Sequence, residues 1–257
     1  MGPVPAFIAL LPWQVALWGL AYFATLYFGF AALTLLVTGA LRGLGIGRVL
    51  DRRPLRAQQR RREIGEALLS ILVFGVGILL PWWLLRAGWA SVRSDASLLR
   101  ILVEIGVLLL WNEAHFYAHH RLLHTRWAFP RFHIQHHRSH VTTPFSTYAF
   151  HPVEAALLGS VPLLPMLAWS FSWQALFALP ILSLAINSIG HANYDAFPAR
   201  GGRSWLTAGR RHHLHHACFR GNYGFFSPLL DRLCGTALAD DAADVVLKRA
   251  GADRHAA

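Results

Sequence analysis

Three histidine clusters carry the chemistry legible in this chain: His120-Arg-Leu-Leu-His124, His133-Ile-Gln-His136-His137 and His212-His-Leu-His215-His216. Fourteen of its fifteen histidines fall between His115 and His216, and the first 114 residues contain none. Imidazole is the commonest side-chain metal ligand, and side chains three and four apart on a helix share a face. An HxxxH therefore aims two rings at one point, and an HxxHH aims three. Three such elements can surround a pair of metal ions with eight nitrogen ligands. A lone histidine on an apolar helix is more often a core residue than a ligand. Three ligand-spaced clusters in one stretch of chain are a metal site.

All-imidazole ligation suits zinc, copper, iron or nickel. A hydrolytic zinc site usually shows HExxH, or three ligands and an open position, and no HExxH occurs here. So many clustered histidines exceed one zinc and suit two metals. Two redox-active irons beside a membrane would activate dioxygen for attack on a lipid C–H bond. The chain has no Walker A, no nucleophile elbow, no cysteine set for an iron–sulfur cluster and no GxGxxG. Reducing electrons must then arrive from another protein. The rival readings are a zinc-dependent membrane hydrolase and a His-rich divalent-metal transporter. Transporters place polar ligands inside the spans near the midplane, whereas these histidines fall at helix ends and in loops on one side.

The elements that must position them are apolar. Of 257 residues, 54% are hydrophobic and only 14% charged, where a soluble domain carries about 25% charged. No charged side chain precedes Arg42, and Ala67–Leu85 and Ala155–Gly190 are uncharged too. A spanning helix needs roughly 20 apolar residues, so an integral membrane protein is expected. The N-terminal stretch lacks the positive n-region of a cleavable signal and the Ser/Thr of a myristoylation signal. The net charge of +11 is almost entirely arginine, Lys248 being the only lysine. Eight arginines between Arg42 and Arg62, directly after an apolar segment, fit the positive-inside rule rather than nucleic-acid binding. They place the histidine-bearing catalytic face in the cytosol. Cys218 and Cys234 form no CxxC pair, and no disulfide is expected in a reducing compartment.

The first membrane segment lies within 7–40, with Pro12 marking its start, and the arginine-rich loop 42–62 follows. A second span covers about 66–86, and 87–96 form a short loop on the far side. A helix over about 97–124 returns to the arginine side with Glu113, Tyr117, His120 and His124 near one stripe. Residues 125–151 are basic and His-rich. The 36 uncharged residues 155–190 are interrupted by Pro162, Pro165, Pro180 and the Ser170-Phe-Ser172 break. They form a hairpin whose ends, His151 and His191, lie on the arginine side. The expected fold is all-α: a membrane bundle of about four spans with a cytosolic His-rich helical cap. It divides into a transmembrane region 1–110, a catalytic region 111–236 and a polar tail 237–257, where His255 is not a ligand.

The HRLLH, HIQHH and HHLHH boxes, in that order, resemble those of the fatty acid hydroxylase/sterol desaturase superfamily of membrane di-iron enzymes. His151-Pro-Val-Glu154 is similar to its His-Pro-x-Glu segment. His191-Ala-Asn-Tyr-Asp195, Gly221-Asn-Tyr-Gly224 and Leu230-Asp-Arg-Leu-Cys-Gly-Thr236 resemble elements of its C-4 methylsterol oxidase branch. The resemblance covers about residues 111–236. It implies two irons held by His120, His124, His133, His136, His137, His191, His212, His215 and His216, under a four-helix membrane base. It further implies oxidation of a sterol, fatty acyl chain or related lipid with dioxygen and two electrons. A ferredoxin or a b-type cytochrome with its reductase would supply them. Two positions depart from the pattern. Asn187 stands where some branches place a further histidine, so its amide either binds metal, directly or through water, or leaves the coordination one ligand poorer. Cys234 replaces a phenylalanine, a packing change.

The other polar residues have two readings each. Ligating imidazoles usually donate their second N–H to a carboxylate or carbonyl. Glu113, Tyr117, Asn187 and Asp195 are therefore expected to orient the ligating rings, with Glu154 and Asp231 as further carboxylates; each carboxylate can equally cap a helix or pair with arginine. His115 and His119 point away from the 120/124 stripe and serve as second-shell or interfacial groups. His213 fills its box. His140 and His151 stay open, with His151 the one expected to face the site. Arg200, Arg203, Arg210, Arg211 and Arg220 contact anionic headgroups or dock an acidic electron carrier.

Overall fold

Within hydrocarbon a backbone must satisfy its own N–H and C=O groups, so the uncharged stretches fold as helices. The computed structural model describes residues 3–201, 204–239 and 241–242. A short helix α1 (Pro3–Ile8) precedes α2 (Pro12–Gly43), which starts on a proline whose missing N–H would be unpaired there anyway. Helices α3 (Ala57–Gly77) and α4 (Leu79–Arg86) form the second span. They part at Ile78 because Pro81 has no N–H for the Gly77 carbonyl. Helix α5 (Leu98–Leu123) is the third span and α9 (Trp173–His191) the fourth. Each of the four is long and apolar enough to cross a membrane. Exposed Trp18, Leu36, Leu99 and Leu110 on their outer faces belong in lipid. The second span begins earlier than expected, since residues 57–62 of the arginine-rich loop are already helical.

After α5 come a π-helical turn (Phe129–His133), α6 (Ile134–His137) and a 3-10 turn (Pro144–Tyr148). The hairpin follows. Its outgoing arm is α7 (Pro152–Gly159) and α8 (Leu163–Ala168), and its return arm is α9. Two small ladders fasten it. β3 (Phe171–Ser172) pairs in parallel with β2 (Val92–Arg93), from the α4–α5 loop. β4 (Tyr194–Asp195) pairs antiparallel with β1 (Arg48–Val49), from the α2–α3 loop. Helix α9 has 19 residues, about 28 Å at 1.5 Å each, close to the roughly 30 Å hydrocarbon thickness. It is thus pinned at both ends, and His191 sits level with the C-terminal end of α5.

Carboxylates tighten the same joints. Glu104 accepts the Ser172 N–H at 2.7 Å and pairs with Arg100 Nε at 2.7 Å, fixing the start of α9 to the start of α5. Fully buried Glu63 on α3 accepts from Ser139 at 2.7 Å, Thr143 at 2.6 Å and Gln59 at 2.8 Å. It holds the strand of chain just past the second box. Tyr27, Ile71, Phe74, Tyr148, Phe150 and Leu184 form the main core. Helix α10 (Ala208–Cys218) bears the third box and lies close on α9, where a Cβ at Gly209 would stand 2.8 Å from the Tyr194 carbonyl. Helix α11 (Leu229–Leu233) follows it.

Helices α2 and α3 touch backbone to backbone. A Cβ on Gly19 would stand 2.5 Å from the Gly75 carbonyl, and one on Gly75 2.8 Å from the Leu20 nitrogen. Small residues at such crossings let membrane helices pack closely. Gly75→Leu is expected to destabilise by about 1–3 kcal/mol, the usual cost of overpacking. Gly65→Ala, facing open space, should leave the melting temperature in detergent unchanged or slightly raised. Equal effects of the two substitutions would contradict this packing.

Candidate metal centre

Nine imidazoles converge on two points. His120, His124, His133, His137 and His215 bring five nitrogens within 4.8 Å of one another, and His136, His191, His212 and His216 bring four. The sets cut across the boxes. Residues four apart, such as 120/124, 133/137 and 212/216, serve one centre, as helical spacing dictates. Adjacent histidines are about 100° apart around a helix, so His136 and His137 part company, as do His215 and His216. Each HxxHH therefore divides its rings between two centres, whereas the spacing alone aims all three at one. The second box also straddles the π-helical turn and α6, which redirects His133 relative to the two rings after it.

Backbone carbonyls set the tautomers. Nδ1 of His120 lies 3.0 Å from the Tyr223 carbonyl, that of His124 3.1 Å from Phe219, that of His215 2.6 Å from Gly221 and that of His191 3.0 Å from Asn187. A carbonyl only accepts, so each Nδ1 carries the single proton of a neutral ring and each Nε2 is left a bare lone pair. Yet Nε2 of His124 and His215 are 3.1 Å apart, and Nε2 of His137 lies 3.2 and 3.1 Å from them. In the second set His212 Nε2 is 3.2 Å from His191 Nε2 and 3.1 Å from His216 Nε2. The bare lone pairs of His124 and His215 do not face each other at 3.1 Å without a cation between them. Two nitrogens at the usual metal–imidazole distance of about 2.0–2.1 Å and at right angles are about 3 Å apart. His133 Nε2 is buried and has no protein partner. The residues fit a pair of imidazole-ligated metals.

The loop that supplies three of those carbonyls is built for it. Phe219, Gly221 and Asn222 all take the left-handed conformation, with φ of 58°, 68° and 50°. The chain curls back so that carbonyls 219, 221 and 223 face His124, His215 and His120. A Cβ at Gly221 would stand 2.7 Å from the Thr236 carbonyl. Two carboxylates hold the curl. Asp231 accepts the N–H groups of Tyr223 and Gly224, both at 2.8 Å, and the Thr236 hydroxyl at 2.7 Å. Glu113 accepts the N–H of Phe226 at 2.9 Å, and those of Phe225 and Ser227 more weakly.

The remaining sequence candidates take these places. Glu154, on α7, comes within 2.8 Å of His133 Nδ1, both side chains being buried. Glu113 touches no imidazole. The Tyr117 hydroxyl meets Thr236 Oγ1 at 3.0 Å, away from both centres. Asp195 takes Arg210, at 3.0 and 2.5 Å, and Arg48, so it ties α10 to β4 rather than orienting a ring. Asn187 Nδ2 donates to the Thr147 carbonyl at 3.0 Å, and its side chain lines the small void beside His120, His133, His136 and His212. His151 caps α7, His140 meets Phe219 edge to face, and His119 donates Nδ1–H to the His115 carbonyl. Arg210 and Arg211 are buried and bound to carbonyls, Arg211 to those of Ser204 and Phe226. They are therefore structural. Arg200 and Arg220 are exposed. Arg203 and His255 lie outside the described residues.

Burial first, and the neighbouring rings second, hold His133, His137, His212, His215 and His216 well below the usual imidazole range. His136 is displaced the same way. Their rings are neutral at physiological pH, the form that can ligate a metal.

An apolar cavity of about 520 Å³ opens beneath the centres, between α2, α3, α5, α7 and α9. Phe116, Phe150, Leu158 and Asn187 line it and also line a void of about 10 Å³ beside His120, His133, His136 and His212. These four side chains separate the cavity from the two imidazole sets.

The sequence profile described as fatty acid hydroxylase matches residues 105–236. Very-long-chain aldehyde decarbonylase CER1 of Arabidopsis thaliana is 30% identical over 202 residues, covering 72% of this chain and 30% of that protein. The Δ(7)-sterol 5(6)-desaturase of Eremothecium gossypii is 31% identical over 189 residues, 69% of this chain and 51% of that protein. The Δ(7)-sterol 5(6)-desaturase erg31 of Schizosaccharomyces pombe is 29% identical over 188 residues, 70% of this chain and 57% of that protein. The chain thus spans between about a third and rather more than half of these relatives. No solved structure matches.

Two outcomes follow from the geometry. Asp231→Ala should release the carbonyl curl and weaken metal retention against a chelator by about 10–100-fold, the usual effect of losing an outer-shell support; unchanged retention would contradict the assignment. The second concerns pH. The buried rings have folded pKa values below their unfolded value of about 6.5, so below that pH the unfolded state binds more protons. The melting temperature of chelator-treated protein should therefore hold above about pH 6.5 and fall as the pH drops through 6. A flat profile down to the carboxylate range would contradict burial of neutral rings.

Proposed function

Because the chain belongs to the fatty acid hydroxylase family, we propose that it is a membrane oxidoreductase that hydroxylates or desaturates a lipid with dioxygen and external electrons. The observation that carries this reading is the pair of imidazole sets facing an apolar cavity inside a four-span bundle. Iron is the proposed metal, two ions per chain, held by His120, His124, His133, His137 and His215 on one side and by His136, His191, His212 and His216 on the other. When bound, the pair supplies the redox chemistry that dioxygen activation needs. The chain's residues do the rest. Carbonyls 219, 221, 223 and 187 keep four rings in the ligating tautomer. Phe116, Phe150 and Leu158 keep water from the reacting C–H bond.

Hydroxylation balances as one C–H bond, one dioxygen, two electrons and two protons giving one C–OH and one water. Desaturation takes two hydrogens from adjacent carbons and gives two waters. The relatives are named for a sterol and for very-long-chain aldehydes, and a lipid is the substrate class shared by both. The arginine-rich α2–α3 loop lies at the metal end of the bundle, through the β1–β4 ladder. By the positive-inside rule that end faces the cytosol, where an acidic ferredoxin or b-type cytochrome with its reductase would deliver electrons. Among the described residues of the arginine cluster, Arg200 and Arg220 are exposed and face such a carrier.

Lipid extracts of cells with and without the protein, grown under isotopically labelled dioxygen, test the reading. A protein-dependent hydroxyl bearing that label, or a new unlabelled double bond, is expected. His137→Ala and His216→Ala should reduce it to background while leaving the protein in the membrane, because lipid packing holds the spans. A product labelled only from water would point to hydrolysis and contradict the proposal.

A further inference from the structure

The cavity wall is almost wholly apolar, yet α5 places two buried polar side chains on it. Asn112 and His115 both line the cavity, with exposures of only 6% and 8%. Three residues apart on a helix, they share a face. Each has one polar atom engaged and one left over. Asn112 Nδ2 donates to Ser183 Oγ at 3.0 Å, and Asn112 Oδ1 has no partner among the described residues. His115 Nε2 lies 3.2 Å from Ser160 Oγ. Ser160 donates its only proton to the Leu157 carbonyl at 2.7 Å, so it accepts from His115 Nε2–H. That leaves His115 Nδ1 a bare acceptor with no partner.

His115 belongs to neither imidazole set. Two unmet acceptors, side by side in an apolar wall, are costly unless a donor arrives. Water is a poor candidate in a cavity with so few polar partners. A lipid hydroxyl meets the need, since it brings its own proton and its apolar chain fills the remainder of the wall.

We propose that Asn112 and His115 form a subsite that accepts the hydroxyl proton of the lipid substrate and thereby sets which carbon reaches the metals. The subsite rests on the reading that the lipid oxidised is the one in this cavity. His115 and Asn112 stand five and eight residues before His120, about 8 and 12 Å along the axis at 1.5 Å each. The subsite therefore holds the hydroxyl between about one and just over two turns of α5 away from His120. A sterol oxidised on the ring that bears its hydroxyl does not fit such a spacing. A long-chain alcohol oxidised at an internal carbon does.

The test uses two probes, hexadecanol and its methyl ether, which match in chain and differ in the donated proton. Equilibrium binding of each, radiolabelled, is measured on the full chain in neutral-phospholipid nanodiscs. The wild type should bind the alcohol about tenfold more tightly than the ether, the value of one net hydrogen bond. Asn112→Leu and His115→Phe should bring the alcohol to the level of the ether while changing ether binding little. Equal binding of both probes to the wild type would overturn the subsite, and needs no variant to fold. Equal weakening of both probes in the variants would also overturn it, by showing that the two residues only pack the wall. In turnover the oxidised carbon should be internal, and oxidation at the carbinol carbon would overturn the placement. Preferential alcohol binding with no oxidised lipid in any assay would instead sink the oxidoreductase reading and leave the subsite standing.

Discussion

Nδ1 protons held by backbone carbonyls are the constraint on which the rest of this molecule depends. Once four rings are locked with their protons facing outward, their bare Nε2 atoms must face inward. Nε2 of His124 and of His215, 3.1 Å apart, then present lone pair to lone pair. Such a centre is stable only around cations, and burial removes the alternative of protonating the rings. A metal bound there would therefore add to the stability of the cap, as at structural metal sites where binding free energy is folding free energy.

The scaffold serves that constraint in two ways. The two small ladders at the ends of α9 fix its height against the loops on both sides, and hence the height of His191 against His120. Buried carboxylates then fasten the irregular segments to the spans. Glu63 holds the chain after the second box, and Glu113 and Asp231 hold the curl that bears three carbonyls. Buried carboxylates are costly unless fully bonded, and each of these three accepts at least two hydrogen bonds. The acids near the centres mostly act one step further out than direct contact with a ring, Glu154 on His133 being the exception.

The positions of the boxes, the four spans and the hairpin were legible in the sequence because each follows from a simple period or from the absence of charge. The division of each HxxHH between two centres was not. It depends on where the helices cross, a tertiary fact that spacing alone does not contain. The carbonyl curl left only a faint signal, the Gly221-Asn222 pair, a turn dipeptide whose residues both adopt positive φ. Glu113 and Tyr117 lie on the histidine stripe of α5, yet they face the chain near Thr236 and the 225–227 loop. A stripe is wide enough to reach two neighbours. Arg210 and Arg211 show the converse, since a basic run beside a metal box proved to be internal bracing rather than open surface.

An anomalous-difference map from crystals of iron-loaded protein tests the two-centre geometry most directly. Two peaks are expected, one enclosed by His120, His124, His133, His137 and His215 and the other by His136, His191, His212 and His216. A single peak, or a metal bound outside both sets, would contradict it.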